Sequence, residues 1–152
     1  MVKKRLVGVV LVLIIAALML PVARAESDSG KTISAGFAYT LVVKADGSLW
    51  CLGSEDTETR QDQATKITDN VSQISTSPSR APGGGSVHSM AIKTDGSLWA
   101  WGTEGTNFYG EIGNGTTEPQ ETPVKIWDNV IAISAGDYHS AFITSEEHIW
   151  LM

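Results

Sequence analysis

One cysteine, Cys51, stands in 152 residues, which excludes an internal disulfide framework and a cysteine-based metal cluster. Basic residues are few and poorly placed for phosphate. Of the 11 Lys and Arg, four (Lys3, Lys4, Arg5 and Arg24) precede position 26, whereas all 17 Asp and Glu follow Ala25. A chain starting at Glu26 keeps seven basic residues against 17 acidic ones, a formal charge of −10. Such a surface disfavours nucleic acid and favours solubility or a basic partner. After the first 25 residues no segment approaches membrane-spanning length. The Gly83-Gly84-Gly85 run lacks the lysine and the strand-to-helix setting of a phosphate-binding loop, so no nucleotide cofactor is expected.

The first 25 residues have the three parts of a secretory signal: Lys3-Lys4-Arg5, an apolar run from Leu6 to Leu20, and the small-residue pattern Ala23-Arg24-Ala25. As a helix, the run reaches roughly 22 Å, short of the ~30 Å hydrocarbon core, which argues against a retained anchor. No cysteine follows it to carry a lipid. The expectation is a signal peptide over 1–25, a polar leader over 26–31, and a chain delivered to the cell envelope or secreted.

The remaining sequence is organised by a hairpin that occurs three times, Leu41 to Leu52, Met90 to Trp101 and Ala141 to Met152. In the first two copies Asp46-Gly47 and Asp95-Gly96 separate short runs of β-branched and aromatic residues, a strong hairpin signal. Read as two-residue turns, these pairs predict Val43 opposite Trp50, Leu41 opposite Leu52, Ile92 opposite Trp99 and Met90 opposite Trp101. Cys51 then falls opposite Val42 as a small filler, and Trp50, Trp99, Trp150 and Trp101 are expected in the core. Both hairpin faces are largely apolar, so the hairpins are expected to lie between other sheets.

A glycine-ended phrase precedes the first and third hairpins, Thr32-Ile33-Ser34-Ala35-Gly36 and Ala132-Ile133-Ser134-Ala135-Gly136, with a degraded copy at Gln73-Ile74-Ser75-Thr76. A fourth strand follows the first two hairpins, Ala64 to Val71 matching Pro123 to Val130. The hairpin tryptophans are 49 and 51 positions apart. Four short strands repeated near fifty residues form a propeller pattern, in which each sheet buries both faces against its neighbours.

The second copy carries further fixed residues: His88-Ser89-Met90-Ala91-Ile92, Asp95-Gly96-Ser97-Leu98-Trp99-Ala100-Trp101-Gly102, then Asn107, Gly110, Ile112-Gly113, Gly115-Thr116 and Pro123-Val124. In this it resembles the repeats of the regulator of chromosome condensation family. The resemblance runs from about Thr32 to the end and implies an all-β fold, four-stranded antiparallel blades of a seven-bladed β-propeller, with repeats over about 32–72, 73–131 and 132–152. The first copy departs from the pattern in a short acidic loop (Glu55, Asp56, Glu58). The third carries Glu146-Glu147 in place of Asp-Gly and stops at Met152, within a strand opposite Ala141. Two to three repeats cannot close a ring of seven, so open blade edges offer self-association. A fragment of a longer propeller, without function of its own, is one reading.

Residues that could carry chemistry are mostly in register with the scaffold. His88 and His139 occupy the position of Tyr39 in the first copy and are expected to be packed or hydrogen-bonded, while His148 lies in the altered turn. Asp137 and His139 are two apart, and paired carboxylates occur at Glu55-Asp56 and Glu146-Glu147, but no third ligand or nucleophile is linked to them in sequence. A carboxylate or histidine hydrolase is therefore the weaker reading, and no metal or catalytic residue is assigned. The non-repeating loops hold the residues suited to a protein interface, Arg80, Phe108, Tyr109 and Trp127. Nuclear members of the family exchange nucleotide on a small GTPase and bind chromatin, partners an exported acidic chain would not meet. Secreted relatives include a β-lactamase inhibitor, which adds enzyme inhibition as a variant. The leading expectation is an exported, non-enzymatic, protein-binding propeller-repeat protein.

Overall fold

Eleven strands, and no helix, account for the regular structure of the described residues, 32–53, 63–78, 87–102 and 107–152 of a computed structural model. The stretches read from sequence as a signal peptide (1–25) and a polar leader (26–31), the acidic Glu55, Asp56 and Glu58, and Arg80 lie outside them. The first sheet holds β1 (Ile33–Ala35), β2 (Tyr39–Val43), β3 (Leu49–Gly53) and β4 (Thr65–Thr68). The second repeats that order with β5 (Val71–Thr76), β6 (His88–Lys93), β7 (Leu98–Gly102) and β8 (Gln120–Trp127). The third contains β9 (Val130–Ala135), β10 (Ser140–Thr144) and β11 (Ile149–Leu151). Every pairing is antiparallel between neighbours in sequence. The sheets stack as consecutive blades of a partial propeller.

The hairpin turns differ from the sequence expectation by one residue, and this changes which side chains meet. Gly47 N–H donates to the Lys44 carbonyl and Lys44 N–H to the Ser48 carbonyl, so the loop is Ala45-Asp46-Gly47. Only Gly47 has positive φ (78°). This is a type I turn closed by a glycine bulge, one residue longer than the Asp-Gly turn expected. The Asp46 carboxylate fixes it by accepting from the Ser48 N–H (2.9 Å) and hydroxyl (2.6 Å). Those bonds, the hydroxyl's first, hold Asp46 below the ordinary carboxylate range, and Ser97 does the same for Asp95.

The register follows from the turn. Val43 pairs with Leu49, Val42 with Trp50, Leu41 with Cys51, and Thr40 with Leu52. In the second hairpin Ile92 pairs with Leu98, Ala91 with Trp99, Met90 with Ala100, and Ser89 with Trp101. The expected pairs Val43–Trp50, Leu41–Leu52, Val42–Cys51, Ile92–Trp99 and Met90–Trp101 do not form. Since side chains alternate between faces, a slip of one residue exchanges the entire set. In the third hairpin Glu147 takes the glycine's place with φ 62°, and Met152 consequently lies opposite Ser140, not Ala141. That conformation costs an L residue about 1–2 kcal/mol, so the third hairpin bears a strain the first two avoid.

Two apolar layers hold the blades together. Tyr39, Leu41 and Leu49 of the first sheet are buried against Val71, Ile74, Val87, Ala91 and Trp101 of the second. The second sheet's opposite face, Met90, Ile92, Leu98 and Ala100, packs against Val130 and Phe142 of the third, with Ile112 reaching in from a loop. Trp101 is core, as expected, but on the face opposite Met90. The three repeating tryptophans are not. Trp50 and Trp99 are half-buried at the turn ends, where each indole N–H donates to a turn serine (2.8 Å) and a lysine ammonium sits over the ring, Lys44 at 3.7 Å and Lys93 at 4.3 Å. Trp150 is 42% exposed. Their polar edge explains the placement: an indole N–H needs a partner, and the turn supplies one.

Candidate functional site

The stack has a turn end, with the hairpin turns at 44–48, 93–97 and 144–148, and an opposite loop end at 36–38, 107–119 and 136–139. At the loop end, Asn107 organises the connection between β7 and β8. Its buried amide donates to the carbonyls of Thr116 (2.9 Å) and Glu118 (2.7 Å), and its Oδ1 accepts from the Ile112 N–H (3.0 Å). Its backbone sits in the left-handed region (φ 68°), which asparagine tolerates better than most residues. Ile112 is fully buried and anchors the loop to the layer between the second and third sheets. The Glu111 carboxylate is also buried and accepts from the Tyr109 N–H through Oε2 (3.0 Å), while its Oε1 has no hydrogen-bond partner among the described residues.

Fixing the loop from below leaves two aromatics outside. Phe108 is 60% exposed and Tyr109 74%. Tyr109 meets the exposed Tyr138 of the third sheet edge to face, with ring centroids 5.8 Å apart at 83°. Beside them runs an open groove of about 700 Å³ lined by Tyr109, Gly110, Gly113, Thr116, Glu118 and Met152, among others. The loop end thus presents an aromatic ledge beside a shallow groove of mixed polarity, on a hydrogen-bonded backbone. Such a surface suits partner binding, since its ordering cost is met in folding.

The residues singled out from sequence do not gather in one place. Phe108 and Tyr109 lie together at the loop end. Trp127 closes β8 at the turn end, seven residues and therefore about 23 Å along the strand from Gln120. There it packs on Trp150 (4.9 Å between centroids) and Phe142 (5.7 Å) and bridges the second and third sheets. Arg80 falls outside the described residues. Sequence reasoning missed Tyr138 and the exposed Phe37. The available signal was an aromatic in the Gly-x-x-(Tyr/His) stretch at a place where the other copy has none: Tyr138 corresponds to Ala38 and Phe37 to Asp137.

The histidines take different roles. His88 is fully buried and its Nε2 lies 2.7 Å from the Ser140 hydroxyl, tying the second sheet to the third. Tyr39 does the same one blade earlier, its hydroxyl 2.7 Å from Ser89 Oγ. The His139 ring is exposed and lies over Gly136, where an added Cβ would come within 2.6 Å of the ring. His148 is exposed, 3.6 Å from Glu146. Among the described residues no three His, Cys, Asp or Glu side chains stand close enough to hold a metal ion.

Residues 95–143 match the profile described as the regulator of chromosome condensation (RCC1) repeat. A search of curated protein sequences finds no match. Solved structures with the same fold include human WBSCR16, at 19% identity and a TM-score of 0.61, covering 78% of this chain and 31% of that one. Yeast RCC1 (Prp20) in its complex with Kap60 aligns at 19% identity and a TM-score of 0.56 over 78% of this chain and 31% of that chain. Saccharomyces cerevisiae Prp20p, studied for its binding to Gsp1p and histones, aligns at 17% and 0.57, with 78% and 32% covered. The chain therefore spans about a third of the length of these structures.

Proposed function

We propose that this chain, which carries regulator of chromosome condensation repeats on a partial propeller, is an exported, non-enzymatic module that binds a protein at its loop end. The observation that carries the reading is the pair of exposed aromatics, Phe108 and Tyr109, held out by the hydrogen-bonded Asn107 loop against Tyr138. Rigid aromatic anchors are the usual centres of interface energy. The acidic balance beyond Ala25 favours a partner with a basic surface. The non-enzymatic reading is supported by the two histidine positions nearest the scaffold, since His88 serves as a tie between sheets and His139 stacks over Gly136.

The test is a comparison of wild type with Tyr109→Ala/Tyr138→Ala. Envelope proteins retained by the immobilised full chain are identified, and the affinity of each is measured by titration calorimetry. The double variant is expected to lose roughly 2 kcal/mol of binding, about thirtyfold, with an unchanged denaturation midpoint. Equal binding by both proteins would reject the loop end as the site.

Export is a separate expectation, resting on the basic start, apolar run and Ala23-Arg24-Ala25 pattern. Amino-terminal sequencing of the chain recovered from outside the cytoplasm should begin at Glu26. Recovery only from the cytoplasm, starting at Met1, would sink it.

A further inference from the structure

The three hairpins bring equivalent positions to the turn end, but the third fills them differently. In the first two, the residue before the turn is a lysine whose ammonium sits over the hairpin tryptophan, Lys44 at 3.7 Å from the centre of the Trp50 ring and Lys93 at 4.3 Å from that of Trp99. The third has Thr144 in the lysine's place, six residues before Trp150 as Lys44 is before Trp50. It supplies no cation of its own.

Thr144 and Trp150 instead border a cleft of about 160 Å³ between the second and third sheets, with Trp127 and Asp128 on the second sheet's side. That is roughly the liquid volume of five waters, room for one alkylammonium head. The Trp127 and Trp150 rings, 4.9 Å apart between centroids and tilted by 39°, form its aromatic wall. Thr144 is only 6% exposed, and its hydroxyl has no hydrogen-bond partner among the described residues. The acidic side differs as well. Asp46 and Asp95 are drawn into their turns by Ser48 and Ser97. Their counterpart Glu146 has His148 in the serine's place, 3.6 Å away, and makes no such turn bond among the described residues, so its carboxylate stays exposed at the rim. Indole faces attract a cation through the ring quadrupole, and a carboxylate within reach adds to the attraction. The cleft lies between two sheets, and Trp50 and Trp99 accept their lysines with β4 and β8 paired beside β3 and β7, so a neighbouring strand leaves this position open.

We propose that this cleft receives a lysine side chain of a partner polypeptide, its ammonium over the Trp150 ring beside Trp127 and against the Glu146 carboxylate. The occupant is argued from the chain itself, which twice sets a lysine ammonium at the equivalent place. Charge agrees: the rim carries Glu146 and Asp128, and of these only Asp128 has a lysine partner among the described residues, Lys125 at 2.7 Å. The site is at the turn end, away from Tyr109 and Tyr138, and does not rest on the loop-end reading.

Titrating the full chain with the α-acetyl amide of lysine, followed through the indole N–H resonances, tests this. The Trp127 and Trp150 signals are expected to shift saturably at physiological ionic strength, while those of Trp50 and Trp99, already under lysines, stay in place and report an intact fold. The same probe acetylated on its ammonium, which removes the charge, should bind about tenfold or more weakly. Trp127→Thr, at an exposed position whose counterpart in the first sheet is Thr68, should weaken the lysine probe about tenfold as read at Trp150. Thr144→Lys restores the arrangement of the first two hairpins, so its own ammonium should occupy the cleft and abolish binding. An unshifted Trp150 in the wild type, equal binding of the neutral probe or of tetramethylammonium, or undiminished binding by Trp127→Thr or Thr144→Lys would each overturn the assignment.

Discussion

Asn107→Ala is expected to destabilise the chain by about 3 kcal/mol or more and to release the loop that displays Phe108 and Tyr109. The alanine leaves the carbonyls of Thr116 and Glu118 and the N–H of Ile112 without their partner. Each buried group left unsatisfied costs roughly 1–3 kcal/mol, and relaxation of the loop towards water offsets part of the total. The left-handed backbone at this position, φ 68°, adds a further penalty for alanine. Urea denaturation measures the loss as a lowered midpoint. Amide exchange locates it, with protection falling first at Ile112 and the neighbouring loop and persisting in β6 and β7. A change below about 1 kcal/mol would mean that the loop does not depend on this hub. The same variant links fold to function: if the aromatic ledge binds only when held rigid, affinity falls although Tyr109 and Tyr138 are intact.

The second large effect separates two registers of the first hairpin. Leu49 is fully buried between the first and second sheets, whereas Trp50 is half-buried at the turn end. Leu49→Ala is expected to cost about 3 kcal/mol, the middle of the range for a leucine truncated in a close-packed core. Trp50→Ala should cost about 1–2 kcal/mol, for partial burial, the bond to Ser48 and the contact with Lys44. The two-residue turn reverses this order, because it places Trp50 in the core. Denaturant midpoints of the two variants under one condition decide between them. A larger loss for Trp50→Ala would refute the observed register.

That comparison shows why the register was not legible. Asp-Gly is compatible both with a two-residue turn, where both residues take positive φ, and with the three-residue turn seen here, where only Gly47 does. Locally the two are close in cost. The choice is made by packing. The longer turn directs Leu41 and Leu49 into the layer between sheets and leaves the indole N–H groups of Trp50 and Trp99 against Ser48 and Ser97. The repetition of tryptophan marks a constrained position, without saying whether burial or a polar edge imposes the constraint.

The candidate site divides in the same way. Phe108 and Tyr109 were legible because they interrupt the repeat within a loop of glycines and asparagines. Tyr138 was not, since its partner Tyr109 is 29 positions away in sequence and belongs to another sheet. Trp127 has the same composition-based claim to an interface, but lies at the opposite end of β8 and joins Phe142 and Trp150 instead.

By itself the sequence determined the all-β class, the repeating strands, the propeller pattern and the loop that departs from the repeat. Each of these is carried by residues close in the chain: alternation, Asp-Gly turns and a period near fifty. Only the tertiary structure decided which hairpin face is buried and which aromatics share the loop end. These depend on contacts between sheets, and a one-residue slip that local chemistry barely resists exchanges every one of them.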